Sequence, residues 1–479
     1  MKASPEQILS RLSAFDPAST PTHLGDGKTV LVEYSNPNVS KPLSLHHIRS
    51  TVLGHSLTRI FRTLGYASVG INHLGDWDAS FGKLIAACKR WNLKPSELED
   101  PLRKLHSLYV RYSLLTTSDS QAEEEVYRCL ASLKAGDPES LRLWHQIREK
   151  SLQSFQKVYR LLGVSFDEES GESAYQNRLD AVVRFLEERW LLDKGDSGLL
   201  VELERDQLPP CRIQKQNGSF LHHAQDLAVA MDRWERYGFH RSLYVAESNR
   251  TLSFQQLFAV LRRARCSWAS RLEHVAFEPV LVDKTPAKTR DGNPLLLEDI
   301  LEEAMERTRI VLANRYPGVE PAPILVRQVG IGAVLFHHLR TPRDNVVEWD
   351  WTSMLNFDGQ TGPFLLETYW KTDHILKEMV HPANPSGIFP SCSPTEERLL
   401  ETLENFENSV LEASRIADPY PISQHLLTLA RNVRDHDFST KPQEAKPERT
   451  AFIYFLVDAI RKTLARGLYL LGLEVSERM

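Results

Sequence analysis

Between Thr29 and Leu64 the hydrophobic pattern changes from continuous to helical. Thr29-Val30-Leu31-Val32 is an unbroken, β-branched run, which predicts a short buried strand. Pro37 and Pro42 then bar regular structure across Ser35–Leu43. Farther on, Ile48, Val52, Leu53, Leu57, Phe61 and Leu64 recur at helical spacing, and Gly65 stands where a helix would end. A strand feeding through a loop into a helix N-terminus points free backbone N–H groups at an anion. The pattern therefore predicts a doubly wound α/β fold with a nucleotide or phosphate site.

The same reading continues along the chain. Ala67–Ile71 predicts a second strand, and a helix begins near Phe81. Residues 86 to 208 pattern as helices, with Ser165–Gly171 and Asp193–Gly198 marking loops. Arg212–Gln216, the turn Asn217-Gly218 and Ser219–His222 read as a hairpin, with a helix from Asp226 to about Tyr237. Ser242–Ala246 predicts a strand and Phe254–Ala264 a helix. From about residue 316 the pattern is helical: Ile324–Leu339, Thr361–Met379, Glu396–Ala417, Ile422–Val433 and Ala451–Leu471. Three regions follow: a leader over 1–28 with one helix from Pro5 to Phe15, an α/β domain over 29–315 with an insertion at about 86–208, and a helical domain over 316–479.

Composition narrows the class. A chain of 479 residues with 25% charged and 42% hydrophobic residues is expected to form two or three soluble domains. Cys88, Cys129, Cys211, Cys266 and Cys392 are scattered without metal-like spacing, which predicts a reducing compartment and no metal site. No signal peptide or membrane-spanning run is read, so a cytoplasmic protein is expected. The net charge of −5 argues against an overall nucleic-acid footprint. Local basic patches such as Lys89-Arg90, Arg103-Lys104 with Arg111, and Arg461-Lys462 with Arg466 can still supply one.

Glu33-Tyr34-Ser35-Asn36-Pro37-Asn38-Val39-Ser40-Lys41-Pro42, followed by His47-Ile48-Arg49-Ser50-Thr51, resembles the signature of the class I arginyl-tRNA synthetases. That family reads roughly E-F-S-S-P-N-x-A-K-P-x-H-V-G-H-L-R-S-T. The likeness continues through Asn72–Trp77, Val329–Ala333, Phe357–Pro363 and Leu464–Leu468 to Glu477-Arg478-Met479. It implies a Rossmann-type catalytic domain with a helical insertion, followed by an all-α bundle like the family's anticodon-binding domain. The family's usual N-terminal domain is expected to be missing.

Aligned on Lys41-Pro42, the family's His-Val-Gly-His becomes Ser44-Leu45-His46-His47. By resemblance the first His contacts ATP phosphates, and the Gly leaves room for adenine. Ser44 and His46 therefore suggest an arginine site that no longer makes adenylate. The resemblance places Glu33, Ser35, Asn38 and Asp226 around arginine, Asp226 at the guanidinium. His222 and Arg250 replace a Tyr and a Gln of that wall. Lys41, and Lys288 and Arg290 of the flexible catalytic loop, are expected at the tRNA 3′ end.

Three functions are open. Losing the ATP side while keeping the arginine side most favours a tRNA-dependent, arginine-containing cyclodipeptide synthase, like those derived from this family in fungal secondary metabolism. It would join Arg-tRNA and a second aminoacyl-tRNA without ATP, cofactor, DNA or membrane, as a monomer. His47 would then be base or donor, Ser44 a nucleophile assisted by a neighbouring His such as His46, or simply a helix N-cap. The alternatives are an ATP-dependent arginyl-tRNA synthetase and a non-catalytic tRNA-binding paralogue.

Overall fold

The computed structural model describes residues 7, 10, 23–98, 101–196, 198–286, 295–380, 392–436, 438 and 447–475. The helix expected over Pro5–Phe15 lies outside the described residues, apart from Gln7 and Ser10. At the centre is β1 (Thr29–Glu33), whose last four residues are buried. It pairs in parallel with β2 (Ala67–Leu74), which extends three residues past the expected strand. Beyond β2 lies β3 (Glu168–Gly171), again parallel.

Before returning to β1 the chain makes a small antiparallel sheet from β4 (Asp193–Gly195), β5 (Gly198–Val201) and β6 (Cys211–Lys215). Then β7 (Arg241–Glu247) pairs with the free side of β1, and β8 (Leu272–Phe277) with β7. The main sheet is thus ordered β3-β2-β1-β7-β8, all parallel. Its strand order reverses between β1 and β7, and ligands of such sheets bind outside the C-terminal strand ends at that point.

The helix after β1, α1 (Leu45–Thr63), buries Ile48, Val52, Leu53, Leu57, Ile60 and Phe61. Each such side chain contributes about 1.5–3 kcal/mol by leaving water. Gly54 lets the helix lie against Tyr34: a Cβ there would sit 2.2 Å from the Tyr34 side chain. Gly65, at φ +85°, ends the element as expected. Arg49 is 0% exposed. Its Nη1 donates to the carbonyls of Glu278 and Asn345, both at 2.6 Å, and its Nη2 to that of Pro342 at 2.8 Å. This one guanidinium ties α1 to the segments after β8 and after the helix Pro323–Leu339.

Three helices, α3 (Pro101–Ser118), α4 (Ser120–Lys134) and α5 (Pro138–Leu162), pack on α2 (Ala79–Arg90) as the expected helical insertion. Two stretches read as loops contain strands. The acidic Ser165–Gly171 supplies β3, because its charges are answered: Asp167 accepts from the Gly70 N–H at 2.7 Å and pairs with Arg62, and Glu168 pairs with Arg236 at 2.7 Å. Asp193–Gly198 supplies β4 and the start of β5.

The expected hairpin after Arg212 also differs. β6 pairs with β5, its return arm makes only the bridge Gln214–Phe220, and His222 opens a helix. After α6 (Leu179–Glu187), that helix is α7 (His222–Tyr237), followed by α8 (Thr251–Arg263). The C-terminal part is helical: α9 (Leu297–Arg315), α10 (Pro323–Leu339), α11 (Gly362–Glu378), α12 (Pro394–Glu404), α13 (Phe406–Ile416), α14 (Tyr420–Arg434) and α15 (Pro447–Leu470). The single helix expected over Glu396–Ala417 is two, divided at Asn405.

Candidate active site

A cleft of about 890 Å³ opens at the β1/β7 switch point. It is lined by Glu33 at the end of β1 and Ser35 just after it, by His46 and His47 at the start of α1, by Glu172 after β3, and by His222 and Asp226 of α7. Residues of β7 and Arg250 before α8 complete its wall. Sequence-predicted residues from three separate segments thus meet in one place. Ser44, Asn38 and Lys41 are not among the lining residues. Lys288 and Arg290 lie outside the described residues.

Ser35 and Asn36 sit at φ +71° and +47°, two consecutive non-glycine residues in the left-handed region. Side chains hold this turn in place. The Ser35 N–H donates to Ser50 Oγ at 3.0 Å, and Ser35 Oγ meets Tyr159 Oη at 2.8 Å. Asn36 Nδ2 donates to Glu33 Oε1 at 2.7 Å, and its Oδ1 accepts from the His73 N–H at 3.0 Å.

Glu33 is ion-paired with the fully buried Arg233 of α7, 200 residues away. Burial pushes its carboxyl up, but Arg233, His73 and Asn36 together hold it below the usual range. Glu33 is therefore answered from within the protein. So is Asn38: its Nδ2 donates to Asp78 Oδ2 at 2.7 Å, and its Oδ1 accepts from the Ser40 N–H at 2.9 Å. Asp78 also caps α2 through the Ser80 N–H.

Among the described residues, the cleft carboxylates that no side chain answers are Asp226 and Glu172, the latter accepting a backbone hydrogen bond from Trp77. Among the described residues no side chain hydrogen-bonds or ion-pairs Asp226, and burial pushes its carboxyl up to about 6. Burial and the nearby acids Asp78, Asp76 and Asp226 push Glu172 up to about 8. A cation placed beside either acid would favour its ionised form. His222 stands one helical turn before Asp226 on α7, a spacing that puts both side chains on one face. Its Nε2 lies 3.3 Å from Ser253 Oγ, and burial and then Arg250 push its pKa down. Glu172 and Arg233 escaped the sequence reading. Glu172 is one of several acids in a row with no distinguishing spacing, and Arg233 looks like any helix-surface cation until the fold puts it under Glu33.

At the helix start, Ser44 is the N-cap of α1, in extended conformation. Its backbone N–H donates to His47 Nδ1 at 3.0 Å, the reciprocal half of a capping box. Its Oγ lies 2.7 Å from His46 Nδ1, and the two imidazoles lie with centroids 3.7 Å apart, tilted by 39°. Burial, with Lys41 adding to it, pushes His46 down to about 4. Burial pushes His47 well below its usual value, His46 and Lys41 adding to it. Both rings are neutral at pH 7. Because His47 Nδ1 accepts the backbone N–H, its Nε2 carries the proton.

Two family profiles match: tRNA synthetases class I (R), catalytic domain, over residues 13–351, and the DALR anticodon binding domain over residues 365–479. The chain is 36% identical over 462 residues to arginine–tRNA ligase 1 of Bacillus thuringiensis subsp. konkukian, covering 95% of this chain and 81% of the relative. It is 33% identical to the arginine–tRNA ligase of Alkaliphilus metalliredigens, covering all of this chain and 84% of the relative. Arginyl-tRNA synthetases of Thermus thermophilus and Plasmodium falciparum share its fold, each with a TM-score of 0.82 over the whole chain. They are 21% and 22% identical to it, and 86% and 84% of their chains are covered.

These matches overturn the cyclodipeptide synthase reading, and with it the second aminoacyl-tRNA and the fungal secondary-metabolism setting: the similar curated proteins are arginine–tRNA ligases. With His46 on its wall the cleft keeps a volume near the upper end of small-molecule sites, about 300–1,000 Å³, so the imidazole does not fill it. Ser44 is engaged at the helix cap. From the parallel sheet to the matched catalytic and anticodon-binding regions, this chain belongs to the class I arginyl-tRNA synthetase family.

Proposed function

We propose that the chain is an arginine–tRNA ligase, which activates arginine with ATP and transfers it to tRNA. The observation that carries this reading is the pair Asp226 and Glu172, two carboxylates without a compensating ion pair in the cleft at the β1/β7 switch point. A guanidinium presents a fixed fork of N–H donors that two carboxylates can share. Neutral amino acids would leave both acids without a counter-charge, which supplies the selectivity.

In the first step the arginine carboxylate attacks the α-phosphorus of ATP, and pyrophosphate leaves. In the second a ribose hydroxyl at the tRNA 3′ end attacks the arginyl carbonyl, and AMP leaves. The α1 N-terminus offers backbone N–H groups and His47 a neutral Nε2–H to the phosphates. Ser44 and His46 remain the departures from the family pattern. They hold each other in a fixed, neutral Ser–His unit at the start of α1, with His46 on the cleft wall. Residues 365–479, the span of the DALR match, are assigned to the tRNA anticodon arm.

The test is charging of a tRNA(Arg) transcript with radiolabelled arginine and ATP, together with arginine-dependent ATP–pyrophosphate exchange in the presence of that tRNA. Arginyl-tRNA and exchange are expected, and both should fall with Asp226→Asn. A folded protein that gives neither would refute the ligase reading.

A further inference from the structure

We propose that Tyr159, on α5 of the insertion, is a positioning residue for the arginine side of the cleft: its hydroxyl heads a chain of hydrogen bonds that holds the left-handed turn Ser35-Asn36 in the form that binds substrate. This role rests on the ligase reading and adds to it a residue outside the cleft lining on which the site depends. Ser35 and Asn36, at φ +71° and +47°, are not glycines, and such backbone persists only where its surroundings hold it. The turn shapes the cleft directly. Glu33, Ser35 and Asn36 all line it, and Asn36 bridges Glu33 Oε1 and the His73 N–H.

Tyr159 Oη lies 2.8 Å from Ser35 Oγ, across 124 positions of sequence. Tyr159 is buried, and its ring sits edge-on to Phe166 with centroids 4.9 Å apart. From Ser35 the chain continues inward. Thr51 Oγ1 lies 2.9 Å from Ser35 Oγ and 2.8 Å from the His47 carbonyl oxygen in the first turn of α1. Each hydroxyl carries one proton, and the carbonyl can only accept. All three links are therefore made together when Tyr159 donates to Ser35, Ser35 to Thr51 and Thr51 to His47. Tyr159 stands at the head of that order. Without its hydroxyl, Ser35 Oγ loses a donor, its own proton is free to turn from Thr51, and the turn loses its tie to the insertion.

The experiment is a double-mutant cycle on the full chain. Calorimetry reads arginine affinity, and mass spectrometry reads amide hydrogen exchange over residues 33–39. Tyr159→Phe removes the hydroxyl and keeps the ring. It should weaken arginine binding about fivefold, the worth of one neutral hydrogen bond, and speed exchange in that peptide. Ser35→Ala breaks the chain at its middle, so adding Tyr159→Phe to it should cause no further loss. Losses that multiply in the double variant overturn the proposal. So does a Tyr159→Phe protein that melts at a lower temperature with arginine affinity and exchange unchanged, the behaviour of a hydroxyl that only stabilises the core. Thr51→Val keeps the shape of Thr51 and breaks the chain on the other side of Ser35. It should speed the same exchange, and it decides the question if Tyr159→Phe does not fold. A protein that binds no arginine would refute the ligase reading, while exchange over residues 33–39 still decides the role of Tyr159: faster in Tyr159→Phe upholds it, unchanged overturns it.

Discussion

Replacing Glu172 with Gln tests the arginine seat through its protons. In the free protein Glu172 titrates at about 8 and Asp226 at about 6. A bound guanidinium favours the ionised form of both, so each carboxyl has a lower pKa with arginine present than without it. The bound state then holds fewer protons than the free state, and affinity must rise with pH until the free-state pKa is passed. For a single group titrating near 8, affinity should rise about 15-fold between pH 6.5 and 8. Asp226 adds little in that window, because it is largely ionised above pH 6.5. Glu172→Gln removes the titrating group. It should flatten the profile and weaken arginine binding at pH 8 by about 10- to 100-fold, the worth of one charge-assisted hydrogen bond. Calorimetry in buffers of different ionisation enthalpy reads both affinity and proton release. A flat profile for the unaltered protein, or an unchanged slope for Glu172→Gln, would show that Glu172 does not face the guanidinium.

Other expectations follow from the same geometry. Asp226→Asn should raise the KM for arginine in the charging assay by at least tenfold while leaving the melting temperature unchanged or higher, because it removes a buried acid that has no partner. Arg49→Met leaves three carbonyls without their donor and should cost about 3–5 kcal/mol, read as a lowered denaturation midpoint. A midpoint within error of the parent would contradict the bridging role. Ser44→Ala should cost about 1 kcal/mol through loss of the α1 cap, measured as a lower Tm. His46→Gly should lower the KM for ATP in the exchange assay, since it takes a ring off the cleft wall; an increase would make the imidazole a nucleotide contact.

What the chain dictated by itself is local. An apolar β-branched run, two prolines and a helical stripe specify β1, the loop and α1, because strand and helix periods are written in neighbouring residues. The chemistry those residues perform depended on partners the sequence places far away. Glu33 reads as a ligand for arginine, yet Arg233, 200 residues on, occupies one of its oxygens. Asn38 reads likewise, and Asp78 takes its amide. The acidic Ser165–Gly171 reads as a loop because charge argues against a strand. It becomes the edge of the sheet because Arg62, Arg236 and the Gly70 N–H neutralise it, and so Glu172 is carried into the cleft. His46 shows the same limit. Its identity is visible in the sequence, but whether a ring at that position plugs a cleft or merely lines it depends on the space between β1, α7 and β7, which only packing sets.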